Sequence, residues 1–279
     1  HDPGLGSSRS TPWPLEKPRS PNHFRSKEDR GGATDGLRRV ADRSWPMELN
    51  ADFSRRVAVH SARLAWLPSP MAGVERRMLD RIGDEVARAT SVVRYAPHSH
   101  FSPHTHDGGE EFIVLDGIFQ DEHGDYPAGS YVRNPPTSRH TPGSEPGCVI
   151  FVKLWQFDPD DRTHVRIDTG RAPFSPAPGR SGVEIMPLFR DAREDVRLER
   201  WPTNADVKLS AQGGIEILVL DGHFTDGSEA FAAQSWLRLP DGATLRAKVG
   251  AEACKVWMKT GHLAHALSPG LLRAAEAGR

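Results

Sequence analysis

The chain has 279 residues, with 36 Lys and Arg against 37 Asp and Glu and a formal net charge of -1, enough for one large domain or two small ones. With 37% hydrophobic residues, 26% charged residues and a mean hydropathy of -0.55, no run approaches the roughly 18 apolar residues of a membrane span. A membrane protein is therefore excluded, and the balanced charge lacks the clustered Lys and Arg of a nucleic-acid binder. Two cysteines, Cys148 and Cys254, are too few for a disulfide framework or a thiolate zinc site, and no apolar signal-peptide core precedes them. A cytoplasmic protein is expected. The 26 Gly and 23 Pro punctuate the chain densely, as many short strands and turns require, and the expected fold is all-β.

Residues 1–46 carry 6 Pro, 5 Gly and 6 Ser with only isolated apolar positions, too little to offset the entropy of ordering. The first Met is Met47, where hydrophobic patterning begins. A disordered leader or a non-native extension is expected there. From Met47, β-branched and aromatic runs of strand length follow at 56–60, 92–95, 111–115, 130–133 and 149–155. A first domain is expected over 47–168, a Pro/Gly-rich linker over 169–181, a second domain over 182–265 and a terminal tail over 266–279.

The second domain is expected because the chain repeats. A shift of 105 residues lays 108–135 over 213–240 with 13 identities in 28 gapless columns, and one inserted residue later Cys148 falls over Cys254 and Lys153 over Lys259. A period this long is the duplication of a whole domain, not a solenoid.

Within the first copy, His104 and His106 alternate, which on a strand places both imidazoles on one face. Glu110 follows across a turn that can return its carboxylate to the same point, and His140 lies beyond Asn134-Pro135-Pro136. Three imidazoles and one carboxylate suit one divalent ion per chain, Zn or Fe(II), with Mn, Ni and Cu also compatible, and leave positions open for water or substrate.

Written as HTHDGGEEFIVLDG and DYPAGSYVRNPPTSRH, this segment resembles the two cupin motifs: His-x-His, three residues, Glu, six residues, Gly, then a Pro-x-Gly turn and a last His. That spacing selects Glu110 over Glu111, because Gly117 follows Glu110 after six residues. The wording GGEEFIVLDG, YVRNPP and CVIFVKLW is similar to the cupin domain of ChrR-type anti-sigma factors and their stand-alone relatives. The resemblance implies two tandem jelly-roll β-barrels, a bicupin, with one metal held by His104, His106, Glu110 and His140. It also implies a sigma-factor partner, but residues 1–46 contain no Cys and so lack the family's N-terminal zinc module, so that partner is not expected. Some stand-alone relatives resemble dioxygenases that cleave dicarbonyl or acylphenol compounds with Fe(II) and three His.

Carrying the repeat offset through the ligands puts Leu209, Ala211, Ile215 and Leu245 opposite His104, His106, Glu110 and His140. The second copy is expected to be degenerate and metal-free, and its His223 falls at no ligand column. Glu111, whose counterpart Glu216 persists, is expected to be structural. His98 and His100 are expected at the loop surface, His123 in a hairpin turn, and Phe151, Lys153 and Trp155 along a core strand. Three functions are compatible with these residues: a cupin dioxygenase acting on a small oxygen-chelating substrate, a non-catalytic sensor, or a Zn-stabilised structural barrel. The expected partners are a small molecule and a second copy in a homodimer, with neither nucleic acid nor membrane.

Overall fold

The computed structural model describes residues 47–84 and 86–266, so the expected leader and the tail beyond Ala266 lie outside the described residues. Among the described residues the regular structure is β-strand, apart from 3-10 turns at Ser61–Arg63 and His262–His265. No described helix is long and apolar enough to cross a membrane.

The first copy builds an antiparallel sheet in the order Val74–Ile82, Arg88–Tyr95, Cys148–Leu154, Glu110–Asp121, Ser130–Asn134. The second repeats it as Glu184–Arg190, Asp195–Trp201, Cys254–Thr260, Ile215–Asp221, Ser235–Leu239. In the second copy a separate four-stranded sheet, led by Asp206–Ser210 and Thr244–Val249, covers the inner face. In the first, the far half of Glu110–Asp121 turns into the opposite wall and pairs with Gly124–Pro127. A two-stranded ladder of His104–His106 and Ser138–His140 stands beside it. Each copy is a jelly-roll sandwich whose sheets are not closed into a cylinder by hydrogen bonds.

Duplication extends to backbone detail. Gly117 and Gly222 both have φ near 71°, and a Cβ on either would come within 2.1 or 2.2 Å of a carbonyl oxygen on the neighbouring strand. Only glycine allows both that conformation and that approach, so the Asp-Gly pair of the repeat marks the same irregularity, where the register slips between Val149 and Ile150 and between Val219 and Asp221.

Two features depart from the sequence expectation. The strand Val57–His60 does not join the first copy; it pairs with Ser235–Leu239 of the second. Reciprocally, Val165–Asp168, which the expected bounds placed at the end of the first domain, takes the equivalent register on Ser130–Asn134 of the first copy and is the second copy's counterpart of Val57–His60. Each copy thus lends its leading strand to the other. The segment expected as a linker over 169–181 is likewise built in: Ser175–Pro176 pairs with the edge of the second sheet, and Ala177 is buried. Proline and glycine there shape turns packed on the second copy instead of a solvated connection.

The exchange leaves the copies sharing a core. Leu79, Val92, Ile113, Tyr131 and Phe151 of the first pack with Met186, Leu198, Leu218, Trp236 and Trp257 of the second. Beside this apolar layer run two buried ion pairs at equivalent positions, Lys153 with Glu216 and Lys259 with Glu111. Each Lys crosses to the other copy's Glu. A buried charge is tolerated only when paired and hydrogen-bonded, which explains why the repeat keeps Glu111 and Lys153 together with Glu216 and Lys259.

Candidate metal centre

His104 and His106 point to one side of their short strand, and the antiparallel register His140↔His104 and Ser138↔His106 brings the third imidazole across. The three ring centroids lie 4.7, 4.8 and 5.2 Å apart, and one nitrogen from each ring falls within 4.8 Å of the others. Nε2 of His106 and Nε2 of His140 are 2.9 Å apart, a convergence of lone pairs that a proton or a cation must reconcile. Glu110 opens the next strand and sets Oε2 at 3.5 Å from His106 Nε2 and 3.7 Å from His140 Nε2.

Surrounding groups fix these side chains. Asp121 Oδ2 lies 3.3 Å from His140 Nδ1, and the Ser102 carbonyl oxygen lies 3.2 Å from His104 Nδ1. Both contacts place the proton on Nδ1 and free Nε2 as a ligand. Asn134 Nδ2 donates to Glu110 Oε2 at 3.3 Å. Burial lowers the pKa of His106 despite the charge of Glu110 beside it. Burial would also lower that of His140, but the Asp121 hydrogen bond and the charges of Glu110 and Asp121 outweigh it and raise the group. Asp121 itself is held low: burial would raise it, but hydrogen bonds from His140 and the His123 backbone prevail.

The donor set fits a divalent transition ion. Two metal–ligand bonds of about 2.0–2.1 Å reach donors up to about 4.2 Å apart, which covers the 2.9 Å between the His106 and His140 nitrogens and the 3.5 and 3.7 Å from these to Glu110, and three imidazoles with a carboxylate suit such an ion. The group opens onto a cavity of about 410 Å³ with an apolar wall that includes Val93, Ile150, Val152 and Leu154. Trp155 lines it too, at a positive φ of 58°, and its ring lies where a Cβ on Gly108 would stand. Trp155 is thus cavity wall, one residue beyond the end of the core strand Cys148–Leu154 on which it was expected.

The second copy supplies a control within the same chain. Leu209 pairs with Leu245 in the register in which His104 pairs with His140, and Leu209, Ala211, Ile215 and Leu245 pack into one apolar core. Among the described residues, the first copy's histidines form the group able to hold an ion, and His223 is exposed.

Of the other expected residues, Glu111 faces away from the site, accepting from Tyr131 Oη at 2.6 Å and from Lys259. His98 and His100 are exposed and share Glu145 at 2.8 and 2.9 Å. His123 sits exposed in its turn. Phe151 is core, edge-on to Trp257 at 5.0 Å. Burial pushes the Cys148 thiol up to about 11 and that of Cys254 to about 12, so both are inert small hydrophobes at neutral pH. Sequence reasoning missed Asp121, whose only signal was membership of a turn-forming run, and two cavity arginines, Arg76 and Arg81.

This architecture and this clustering of His and Glu define a cupin, here two cupins in tandem. The ChrR Cupin-like domain family matches residues 54–158 and 162–264, and the chain belongs to that family. Its second match begins at 162 and so includes the exchanged strand and the segment that reads as a linker. No curated protein matches the chain. Among solved structures it is similar to a candidate dioxygenase from Nostoc punctiforme, at 15% identity over 77% of this chain and 86% of that one, with a TM-score of 0.64. It is also similar to YlbA from Escherichia coli, at 12% identity over 76% and 93% with a TM-score of 0.58. A third is the bacterial pirin YhhW from E. coli in complex with nickel(II), at 13% over 74% and 99% with a TM-score of 0.53. These likenesses define the fold.

Proposed function

We propose that the chain is a metal-dependent cupin enzyme, dioxygenase-like, acting on a small substrate that presents two oxygen donors, of dicarbonyl or phenolic-ketone type. The observation that carries this reading is the contrast between the copies: the first sets His104, His106 and Glu110 on the wall of an open cavity of about 410 Å³, with His140 clustered against them, and the second fills the same columns with aliphatic core. A bound divalent ion would supply Lewis acidity and, if it is iron, a site for dioxygen. His104, His106, His140 and Glu110 would hold it. Asp121 would keep the His140 proton on Nδ1, Asn134 would orient Glu110, and the walls of Val93, Ile150 and Val152 would exclude water from the bound substrate.

A second reading, a non-catalytic metal or ligand sensor, is supported by the ChrR family match. Elemental analysis of protein purified without metal supplementation, then anaerobic Fe(II) loading and an oxygen-uptake screen over dicarbonyls and phenolic ketones, separates the two. Iron with uptake is the expected result. Zinc without uptake would favour the sensor.

A further inference from the structure

The cavity beside the histidines holds two arginines that the metal site does not use. Arg76 and Arg81 project from the strand Val74–Ile82 into the same space as His104, His106 and Glu110. Arg81 is 6% exposed. Its Nε donates to the Gly83 carbonyl at 3.0 Å, and among the described residues neither Arg81 nor Arg76 forms an ion pair. The acid that acts on Arg81 is Asp84, whose Oδ1 already accepts from the Met47 backbone N–H at 3.0 Å. The charges of Arg81 and Arg76 oppose one another, and burial together with that repulsion pulls the Arg81 pKa down. The one further acid on the cavity wall outside the metal group, Asp107, is exposed. Keeping two like charges together, one of them buried, without a protein counter-ion is costly.

The duplicated copy shows that the fold does not demand this arrangement. Arg76 pairs with Val93, and the matching pair in the second copy is Ile185 with Glu199, where Ile185 packs against the apolar core. Arg81 pairs with Ala89, and its counterpart Arg190 pairs with Asp195, reaches its carboxylate at 3.7 Å and is 80% exposed. At both positions the sealed copy removes or satisfies the charge that the open copy leaves in its cavity. Where the cavity opens, Met71 and Val86 are 43% and 55% exposed, giving an apolar rim.

We infer that Arg76 and Arg81 bind a carboxylate of the substrate, so that the cavity takes an acidic 1,3-dicarbonyl or related chelator with an apolar body and not a neutral one. Guanidinium and carboxylate match as a two-pronged, charge-assisted pair, and the cavity volume lies within the range of small-molecule sites. This inference rests on the metal-centred reading above for where the other end of the substrate lies.

The test compares 4,6-dioxoheptanoate with heptane-2,4-dione, which share the chelating dione and differ in the carboxylate. Each is titrated calorimetrically into the Zn(II)-loaded full chain without oxygen, at low and high salt. The acid should bind at least about tenfold more tightly, with the advantage shrinking as salt rises. Arg76→Ile, which copies the second copy's residue, and Arg81→Met should each erase most of that advantage while leaving the neutral dione's affinity within about twofold. Arg76 is only half-buried, so its variant tests the inference even if Arg81→Met does not fold. Equal affinities in the unaltered chain, no binding of the acid, or an advantage that survives Arg76→Ile would overturn the inference. Repeating the titrations on metal-free chain separates the two readings: if neither affinity depends on metal, the metal-centred reading fails, and the ratio between the ligands still reports on the arginines.

Discussion

At the level of single residues, the proposed centre depends on groups that would ligate a metal and groups that orient them. His104→Ala and His140→Ala each remove a converging nitrogen and should abolish stoichiometric metal binding. Asp121→Ala leaves every ligand in place but frees the His140 ring to rotate or exchange tautomers, and should weaken metal affinity by about 10–100-fold. Competition against a chromophoric chelator distinguishes these effects. The clustering of His104, His106 and His140 was legible because their spacing repeats a motif. Asp121 was not, since nothing in a turn sequence shows that its carboxylate reaches an imidazole 19 residues away. Arg76 and Arg81 escaped for the same reason: nothing in the run VERRMLDRI shows which of its charged side chains face a cavity, and only the fold does.

His262 carries a residue-scale prediction on pH. It lies buried against Glu216 at 3.0 Å, and burial holds its pKa at about 4, below the ordinary 6.5. For Glu216, burial works the other way, but Lys153 and His262 outweigh it and keep the carboxyl well below its usual range. Between pH 4 and 6.5 the unfolded chain protonates His262 and the folded chain does not. Stability should therefore rise with pH across that window and level off above it, by on the order of 3 kcal/mol if this group acts alone. His262→Gln keeps a donor to Glu216 and removes the titration. Chemical denaturation of metal-loaded protein between pH 4.5 and 7 should show a shallower slope in the variant, and an unchanged slope would contradict the assignment.

Elements are where sequence and structure part. Its β-branched, strand-length composition identified the run at 56–60 as a strand, and a strand it is over Val57–His60, but such a run says nothing about which neighbour supplies the hydrogen bonds. Val57 and Val59 would suit either sheet; they pair across Arg238 and Trp236 of the second copy. Val165 and Ile167 pair across Arg133 and Tyr131 in return. The Pro/Gly composition of 169–181 was legible as a break in regular structure, not as a break between bodies. A first copy cut to 47–161 loses the strand that covers Tyr131 and has no place for its own Val57–His60. It should be aggregated or unfolded by size exclusion and circular dichroism, whereas co-expression with 162–266 should recover a soluble pair. A monomeric, folded 47–161 would contradict the exchange.

Across the whole molecule, the duplication produces one body with two unlike halves. The shared core and the crossed Lys–Glu pairs tie the copies together, so the described residues should unfold in a single transition. Glu111→Ala leaves Lys259 with Glu194 as its remaining partner at 3.1 Å and should lower stability by about 2–4 kcal/mol, because a buried charge loses most of its compensation. It should not change metal content, since Glu111 faces the other copy. On the function proposed above, one half carries the chemistry and the other only structure. Metal stoichiometry after loading and desalting tests this most directly: close to one divalent ion per chain is expected, retained in Glu111→Ala and lost in His106→Ala. A value near two, or metal that persists in His106→Ala, would contradict it.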